Sequence, residues 1–431
     1  MTAVAQASNR VGTLTALRHA NFRLYFAGQL ASTSGTWMQN VAQGFLVFSI
    51  TKSELWLGIV ACAAGLPLVV LSPFAGVIVE RFPRRQIMLY TQTVQMILAF
   101  TLSALTFTGT VQVWHIVILA FILGVTNALD TPARLGLIVE LVGREDLQSG
   151  IALGSIINSG SRVLGPTAAG VALVLVGPVW CFFINGLSFL AVIVSLILME
   201  VPFAIKQTTN SAPLQQLKEG LSYARRDPII APILLLTATV GFFIIPIIQI
   251  LPAFADVVLH SPKVGYAGVS VGEGVGAVLA GVALGWTTYH LKRGRLVSLM
   301  IILSPCAILV LTHMTMVPLA AITSALMGFC TVSMMVTLNT LVQTATPNEF
   351  RGRVLSLYSL AFFGLAPFGA LFLGFLANSI GGNTLSPFAS VRLSLLLNAT
   401  GTPTAMAIYA IIAGVVGTFI LLRWPGVTRQ V

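Results

Sequence analysis

Apolar runs of membrane-spanning length follow one another along the whole chain and are separated by short polar loops. A run of roughly 20 residues is needed to cross about 30 Å of hydrocarbon. Runs of this length fill both halves of the chain, and the pattern predicts an all-α membrane protein with twelve transmembrane helices. The predicted spans are residues 22–48, 55–79, 87–107, 113–129, 151–176, 179–198, 229–258, 265–286, 296–312, 318–342, 354–377 and 406–422.

One long polar stretch, residues 202–227, separates the two sets of six spans. The apolar residues of its segment 214–226 recur at helical spacing, which predicts an amphipathic helix on the membrane surface. The chain is therefore predicted to have three parts. They are a six-helix bundle at residues 1–200, a cytoplasmic linker with this helix at 201–228, and a second six-helix bundle at 229–431.

The two halves repeat a sequence feature. Gly165-Pro166 in the fifth predicted span has a counterpart in Ala366-Pro367 of the eleventh, 201 residues further on. Two pseudo-symmetric halves produced by duplication are the architecture of transporters with a central binding site.

Charge is scarce and unevenly placed. The chain has 23 Lys or Arg and 12 Asp or Glu, only 8% of its residues, against roughly 25% in soluble domains. This excludes a soluble globular protein. The basic residues lie in short loops between apolar runs, so the net charge of +11 does not indicate a nucleic-acid partner.

The basic residues also predict the orientation of the chain. With a cytoplasmic N-terminus, 19 of the 23 basic residues face the cytoplasm, and only Lys52, Lys263 and Arg392 face out. Arg162 falls inside the fifth span. Because cytoplasmic loops are enriched in Lys and Arg, both chain termini are predicted to be cytoplasmic.

The loop after the second span carries the strongest motif. Gly76 is followed by the acid Glu80 and then by Arg81, Arg84 and Arg85. A carboxylate at a helix end can face the positive N-terminus of a neighbouring helix, while a basic cluster stays at the anionic lipid surface. The positive-inside rule alone explains the arginines but not the acid.

This loop resembles the cytoplasmic loop motif of the major facilitator superfamily, with Glu80 in place of the usual Asp and Pro83 in place of the usual Gly. The resemblance implies the fold of that superfamily. It also implies that Glu80 meets the fourth and eleventh spans, where Arg134 and the start of the eleventh span are the candidate partners. We predict a cytoplasmic gate made of Gly76, Glu80, Arg81, Arg84, Arg85 and Arg134.

The fifth span contains Gly165, Pro166 and Gly170, which resemble the Gly-Pro motif of antiporters in this superfamily. Glycine lets helices approach closely, and proline frees a backbone carbonyl and bends the helix. Ordinary helix packing by small residues is the alternative interpretation of the same pattern.

A wider resemblance covers roughly residues 18–377. Segments 18–29, 35–39, 131–134 and 223–228 are similar to an exporter branch that includes the enterobactin exporter and macrolide efflux proteins. The resemblance implies export of a small organic molecule, such as a drug, a macrolide or a siderophore-like compound, coupled to proton entry. It further implies a monomer in the bacterial inner membrane, surrounded by lipid, with no cofactor, no metal and no enzymatic activity.

Polar residues inside a span are costly and therefore informative. In the first span they recur at steps of about one helical turn, on one face, and predict the lining of a wet cavity. Hydrogen bonding between helices is the alternative. The stripe consists of Ser32, Thr36, Gln39, Asn40 and Gln43, and the other candidates for the cavity are Trp37, Asn158, Gln249 and Asn339.

Two opposite charges lie near the predicted midplane, Arg162 in the fifth span and Glu273 in the eighth. The resemblance places these spans face to face across the boundary between the halves. A lone carboxylate at this depth costs about 2.5–3.5 kcal/mol, so pairing or protonation is expected. We hypothesise that Glu273 couples proton movement to transport, staying ionised beside Arg162 and taking up a proton when the halves separate. A static salt bridge is the alternative.

Asp130 is the rival candidate for the coupling acid. Arg134 lies one turn away, which favours a structural i, i+4 pair near the cytoplasmic end.

Together with these patterns, the resemblance implies a secondary exporter that moves a small molecule out of the cell in exchange for protons, by alternating access. The chain has neither a Walker A pattern nor a soluble domain for a nucleotide, which argues against a primary pump. Two alternatives stay open. One is a uniporter or importer with the same fold, and the other is a receptor or scaffold protein that does not transport.

Overall fold

A computed structural model describes residues 14–143, 145–199, 213–287, 293–381 and 401–429. Every regular element in these ranges is helical. The first group of long helices is α1 (Ala20–Thr51), α2 (Glu54–Arg81), α3 (Arg84–Phe107), α4 (Val113–Val142), α5 (Leu147–Leu175) and α6 (Pro178–Leu198). A short helix, α7 (Pro213–Arg226), follows.

The second group consists of α8 (Ile230–Thr239), α9 (Ile247–Val257), α10 (Val264–Thr287), α11 (Arg293–Thr312), α12 (Val317–Ala345), α13 (Asn348–Ser359), α14 (Ala366–Ile380) and α15 (Gly401–Arg423). The π-helical turn Val240–Ile244 leads from α8 towards α9, and Leu360–Gly364 leads from α13 into α14. Each turn is followed closely by a proline, Pro246 or Pro367, which has no backbone N–H to donate. A π-turn beside a proline is a recognised cause of a helix kink.

Ten helices of the described part are long and apolar enough to cross a membrane, with α8–α9 and α13–α14 each counting as one span. The prediction of an all-α membrane protein is therefore confirmed. Two long helices are not among the ten, α1 with 32 residues and α5 with 29. Both carry many polar residues, and the count of twelve spans stays a prediction.

Small residues set the packing within each group. Gly124 of α4 lies against the backbone carbonyl of Ala64 on α2, so a side chain at this position would clash. On α10, Gly272 and Gly276 lie in the same way against carbonyls of α12. Close approach of helix backbones through small residues is typical of membrane proteins, where van der Waals contact drives association.

The first and second groups of helices pack against each other along two seams. At the first, α2 packs along α14, where a Cβ at Gly58 would lie 2.6 Å from the carbonyl oxygen of Ala370. At the second, α5 packs along α10, with Gly274 directly against the backbone carbonyl of Arg162. The expected contact between the fifth and eighth spans is thus present in the structure.

The bundle has two chemically different ends. We call the end that carries Arg18, Arg84, Arg134 and Arg353 the basic end, and the end that carries Lys52 and Asp256 the distal end. Helix α7 lies at the basic end, where it packs against α13.

Candidate functional site

The α5–α10 seam brings two opposite charges to the same level. Arg162 lies on α5 and Glu273 on α10, and the glycine after Glu273 rests on the backbone of Arg162. The guanidinium of Arg162 lies over the ring of Trp37 on α1, 5.1 Å from its centroid. Three helices from both groups therefore meet at this point.

Glu273 is a buried carboxyl group, with 5% of its surface exposed. Among the ion pairs within 4 Å in the described ranges, none joins Glu273 to Arg162. No hydrogen bond to its side chain is described either. Arg162 is still its neighbour across the seam, because Gly274 lies against the backbone carbonyl of Arg162. The structure thus shows Glu273 beside its predicted partner but not bound to it.

Two residues of this site were missing from the sequence predictions. Tyr266 and Ser270 precede Glu273 on α10 by seven and three residues, which places all three on one helix face. Both are at least 95% buried. The Tyr266 hydroxyl faces α1, where a Cβ at Gly44 would lie 3.1 Å from it. The i, i+4, i+7 spacing of Tyr266, Ser270 and Glu273 is the signal that could have identified them.

Asp130 sits in a separate cluster inside the first group. Its side chain is fully buried. One carboxylate oxygen accepts hydrogen bonds from the Thr91 hydroxyl and the Gln92 amide, each at 2.9 Å, and the other pairs with Arg134. The predicted i, i+4 ion pair is formed. Because three groups satisfy the carboxylate, its contacts are those of a structural acid that ties α3 to α4.

The polar stripe of α1 divides between two environments. Ser32 and Gln39 are buried, and the Gln39 side-chain oxygen accepts a 2.7 Å hydrogen bond from Asn185 of α6. Gln39 therefore forms the interhelical hydrogen bond of the alternative interpretation. Thr36 and Gln43 are half-buried, and the Thr36 hydroxyl donates to the Ser32 carbonyl.

Three of the predicted cavity residues are exposed although they lie inside long helices. They are Asn40 of α1, Asn158 of α5 and Gln249 of α9. Asn158 lies one turn before Arg162 and so shares its helix face. Asn339 of α12 is half-buried and accepts a 2.5 Å hydrogen bond from Gln343. An exposed amide inside a span is costly against lipid and favourable against water.

The loop motif at the end of α2 is partly described. The Glu80 side chain lies outside the described residues, so its predicted partners are not visible. Arg81 is exposed. Arg84 pairs with Glu140 of α4 at 2.6 Å, and Arg85 donates to the carbonyls of Leu196 and Ile197 in the last turn of α6. These two arginines therefore bind helix ends of the first group, where a positive charge complements the helix dipole.

The Gly-Pro motif of α5 contacts both groups. Gly165 packs against Trp37 and the backbone of Ser34 and Met38 on α1. Pro166 lies inside the helix, and one turn further on a Cβ at Gly170 would come within 2.8 Å of Ala267 on α10. The motif thus lies directly at the seam beside Arg162.

At the distal end, three consecutive residues join the groups. The Lys52 ammonium pairs with Asp256 of α9 at 2.8 Å, and the Ser53 hydroxyl donates to the Asn378 side chain of α14 at 3.0 Å. Glu54 accepts a 2.6 Å hydrogen bond from the Thr402 hydroxyl of α15. We call residues 52–54 the distal clasp. It links the α1–α2 connection to three different helices of the second group.

The comparison of the sequence with known proteins identifies its family. The chain matches the family described as transmembrane secretion effector over residues 11–406. The chain belongs to this family. It is a transporter of the major facilitator superfamily and not an enzyme, and its relatives include efflux proteins, as the sequence motifs predicted.

Three relatives illustrate the match. The MFS-type transporter YfiS of Bacillus subtilis (strain 168) is 28% identical over 226 residues, a segment that covers 51% of this chain and only 53% of YfiS. Macrolide efflux protein A of Streptococcus pyogenes is 23% identical and matches 85% of this chain and 92% of its own length. The enterobactin exporter EntS of Shigella flexneri is 24% identical, with 87% and 88% covered.

Solved structures share the fold. A bacterial homologue of the human lysosomal transporter Spinster, in an inward-facing and unoccupied conformation, superposes with a TM-score of 0.70 over 96% of this chain and 99% of its own. Its sequence is only 14% identical. The superposition confirms the predicted major facilitator fold.

Proposed function

We propose that this transporter exports a small organic molecule in exchange for protons, by alternating access between two six-helix bundles at residues 1–200 and 229–431, joined by the linker 201–228. The observation that carries the proposal is Glu273, a buried carboxyl group at a seam between the groups that forms no ion pair with any residue the structure describes. Efflux proteins among the relatives favour export, and a drug, a macrolide or a siderophore-like molecule fits this proposal.

Glu273 is proposed as the proton-coupling group, with Arg162 as its partner across the seam. An ionised carboxylate inside a membrane costs about 2.5–3.5 kcal/mol. Movement of α5 against α10 would change the distance between Arg162 and the Glu273 carboxyl group. The free energy that is needed to ionise Glu273 would change with it. Binding or release of a proton by Glu273 then follows the movement of the helices. Each proton that enters contributes about 2.3 kcal/mol per 100 mV of membrane potential.

The exposed amides support a water-filled cleft between the groups. Asn40, Asn158 and Gln249 are exposed within long helices that are predicted to be spans, and amides favour water over lipid. We propose that they line the path of the transported molecule together with Ser32, Thr36, Trp37, Gln43 and Asn339. Gln39 contributes to this lining through its hydrogen bond to Asn185, which fixes α1 against α6.

The contacts at the two ends support the state of the alternating-access cycle in which the outer side is closed. By the positive-inside rule the basic end is proposed to be cytoplasmic, with both termini there, in a bacterial inner membrane. The distal clasp then closes the outer side. The loop residues Gly76, Glu80, Arg81, Arg84 and Arg85, with Arg134, are proposed as the gate of the cytoplasmic side. The protein is proposed to act as a monomer.

Substitution of Glu273 tests the proposal. The experiment uses liposomes that contain the purified full chain, a pH gradient, and erythromycin as the macrolide probe. Glu273→Gln keeps the size of the side chain but cannot bind a proton. We expect this variant to bind erythromycin as the unmodified chain does and to lose proton-driven uptake into the liposomes. Glu145→Gln, the same change at an exposed residue of the basic end, is the matched control and should transport normally.

Two results would contradict the proposal. Full proton-driven transport by Glu273→Gln would exclude Glu273 as the coupling group. Erythromycin transport that is indifferent to the pH gradient in the unmodified chain would instead favour the uniporter.

A further inference from the structure

Helix α7 has a buried face that lies against α13. Gly220 and Ala224 are buried, and a Cβ at Gly220 would lie 3.0 Å from Arg353. The Tyr223 ring stacks on Phe350, with 4.5 Å between centroids and 5° between planes. The part of this face that is described, Gly220, Tyr223 and Ala224, therefore lies on another helix.

Both acidic residues of this segment are engaged on the inner side. Glu219 forms a 2.9 Å ion pair with Arg353. The Asp227 carboxylate accepts the backbone N–H groups of Ile229 and Ile230, at 2.9 and 3.0 Å, and also the Tyr223 hydroxyl. Neither acid is therefore available to neutralise a positive charge on the opposite side of α7.

The opposite side of α7 carries three basic residues. Lys218, Arg225 and Arg226 are exposed, and Leu221 is exposed between them with 39% of its surface accessible. Lys218, Leu221 and Arg225 follow the i, i+3, i+7 spacing of one helix face. We call these four residues the outer face of α7. No ion pair between described residues involves Lys218, Arg225 or Arg226. An apolar residue flanked by such basic groups is the pattern of a helix that lies at a lipid interface.

We propose that the outer face of α7 binds the headgroups of anionic phospholipids in the leaflet at the basic end. The charges are complementary, since the face holds three positive groups and the two acids of its own segment, Glu219 and Asp227, are engaged elsewhere. Helix α7 also adjoins the start of α13, which continues into a span, so the face lies at the level where headgroups are found. Leu221 contacts the upper acyl chains, and the arginines and lysine contact the phosphates.

Lipid retention by the purified full chain tests this proposal. The protein in detergent is mixed with equal amounts of phosphatidylglycerol and phosphatidylcholine, and bound lipids are counted by native mass spectrometry. The unmodified chain should retain phosphatidylglycerol preferentially. Arg225→Gln should weaken that retention about fivefold, which is ~1 kcal/mol per basic residue near the surface. The triple change Lys218→Gln, Arg225→Gln and Arg226→Gln should weaken it by more than about tenfold.

Lys263→Gln is the matched control, because it removes one exposed basic group at the distal end. It should leave retention unchanged. Equal retention of the two lipids by the unmodified chain would overturn the proposal. Unchanged phosphatidylglycerol retention in Arg225→Gln would also overturn the proposal. This single variant is a sufficient test if the triple variant does not fold.

Discussion

The two ends of the bundle are held together in different ways. At the distal end, the clasp residues Lys52, Ser53 and Glu54 bind three helices of the second group. At the basic end, each described ion pair joins residues on one side of the boundary. These pairs are Arg84–Glu140, Arg134–Asp130 and His19–Asp146 in the first group, and Arg353–Glu219 between α7 and α13.

Polar bonds alone do not hold the two groups of helices together at the distal end. An exposed ion pair such as Lys52–Asp256 contributes about 0–1 kcal/mol. Close backbone packing between α2 and α14 accompanies the clasp, where Gly58 faces Ala370 and Gly374 faces Glu54. The basic end of α2 has no such packing at Gly76, where a Cβ would meet nothing within 4 Å among the described atoms.

The largest effect is expected from filling the α2–α14 seam. Gly58→Val places methyl groups against the Ala370 carbonyl, and overpacking of this kind costs about 1–3 kcal/mol. Separation of α2 from α14 relieves the clash, so the distal end should open. The measurement is the rate of maleimide labelling of Ser53→Cys in a chain whose four native cysteines are replaced. It should rise by about tenfold or more.

Gly281→Val on α10 is the control for that experiment. A Cβ at Gly281 would meet nothing within 4 Å among the described atoms, so the same side chain should leave labelling at position 53 unchanged. Equal labelling in the Gly58→Val and Gly281→Val chains would show that packing at α2–α14 does not hold the distal end closed.

A smaller effect is expected at the basic end, from the pair between His19 and Asp146. The His19 Nε2 lies 2.9 Å from the Asp146 carboxylate, and this hydrogen bond lowers the pKa of Asp146. A lowered pKa means that the carboxylate stabilises the folded chain above the ordinary pKa of Asp, about 3.9, and that this contribution disappears as the pH falls through the lowered pKa.

Asp146→Asn should therefore lower the midpoint of thermal unfolding slightly at neutral pH. The difference from the unmodified chain should stay constant down to about pH 5 and shrink as the pH falls further, through the lowered pKa of Asp146. Thermal unfolding in detergent from about pH 6 to about pH 3 is the measurement. A difference that stays constant with pH would show that the charge of Asp146 contributes nothing, and labelling at the distal end should be unaffected throughout.

Much of the fold could be predicted because each span has its own apolar run in the sequence. The apolar run 22–48 lies within Ala20–Thr51 in the structure, and 406–422 lies within Gly401–Arg423. The helical spacing of 214–226 likewise predicted α7. These features depend on neighbours within a few turns, which a sequence pattern records directly.

The contacts across the boundary could not be predicted in the same way. Ser53 and Asn378 are 325 residues apart, and nothing in the spacing of either segment indicates the other. Gln39 shows the same difficulty, since its membership of a polar stripe did not reveal that Asn185 would bind it. The π-turn at Val240–Ile244 also could not be predicted from the sequence, because one added residue in a helical turn leaves the apolar pattern almost unchanged.

Paired distance measurements between spin labels test the central claim most directly. One pair joins the groups at the distal end, at Thr110 and Lys263, and the other joins them at the basic end, at Glu145 and Gly352, all at exposed positions. In lipid nanodiscs at about pH 8 and about pH 5, we predict that the two distances change in opposite directions, and that Glu273→Gln removes this dependence on pH. Distances that stay fixed, change together, or respond to pH without Glu273 would contradict alternating access coupled to a proton at that carboxyl group.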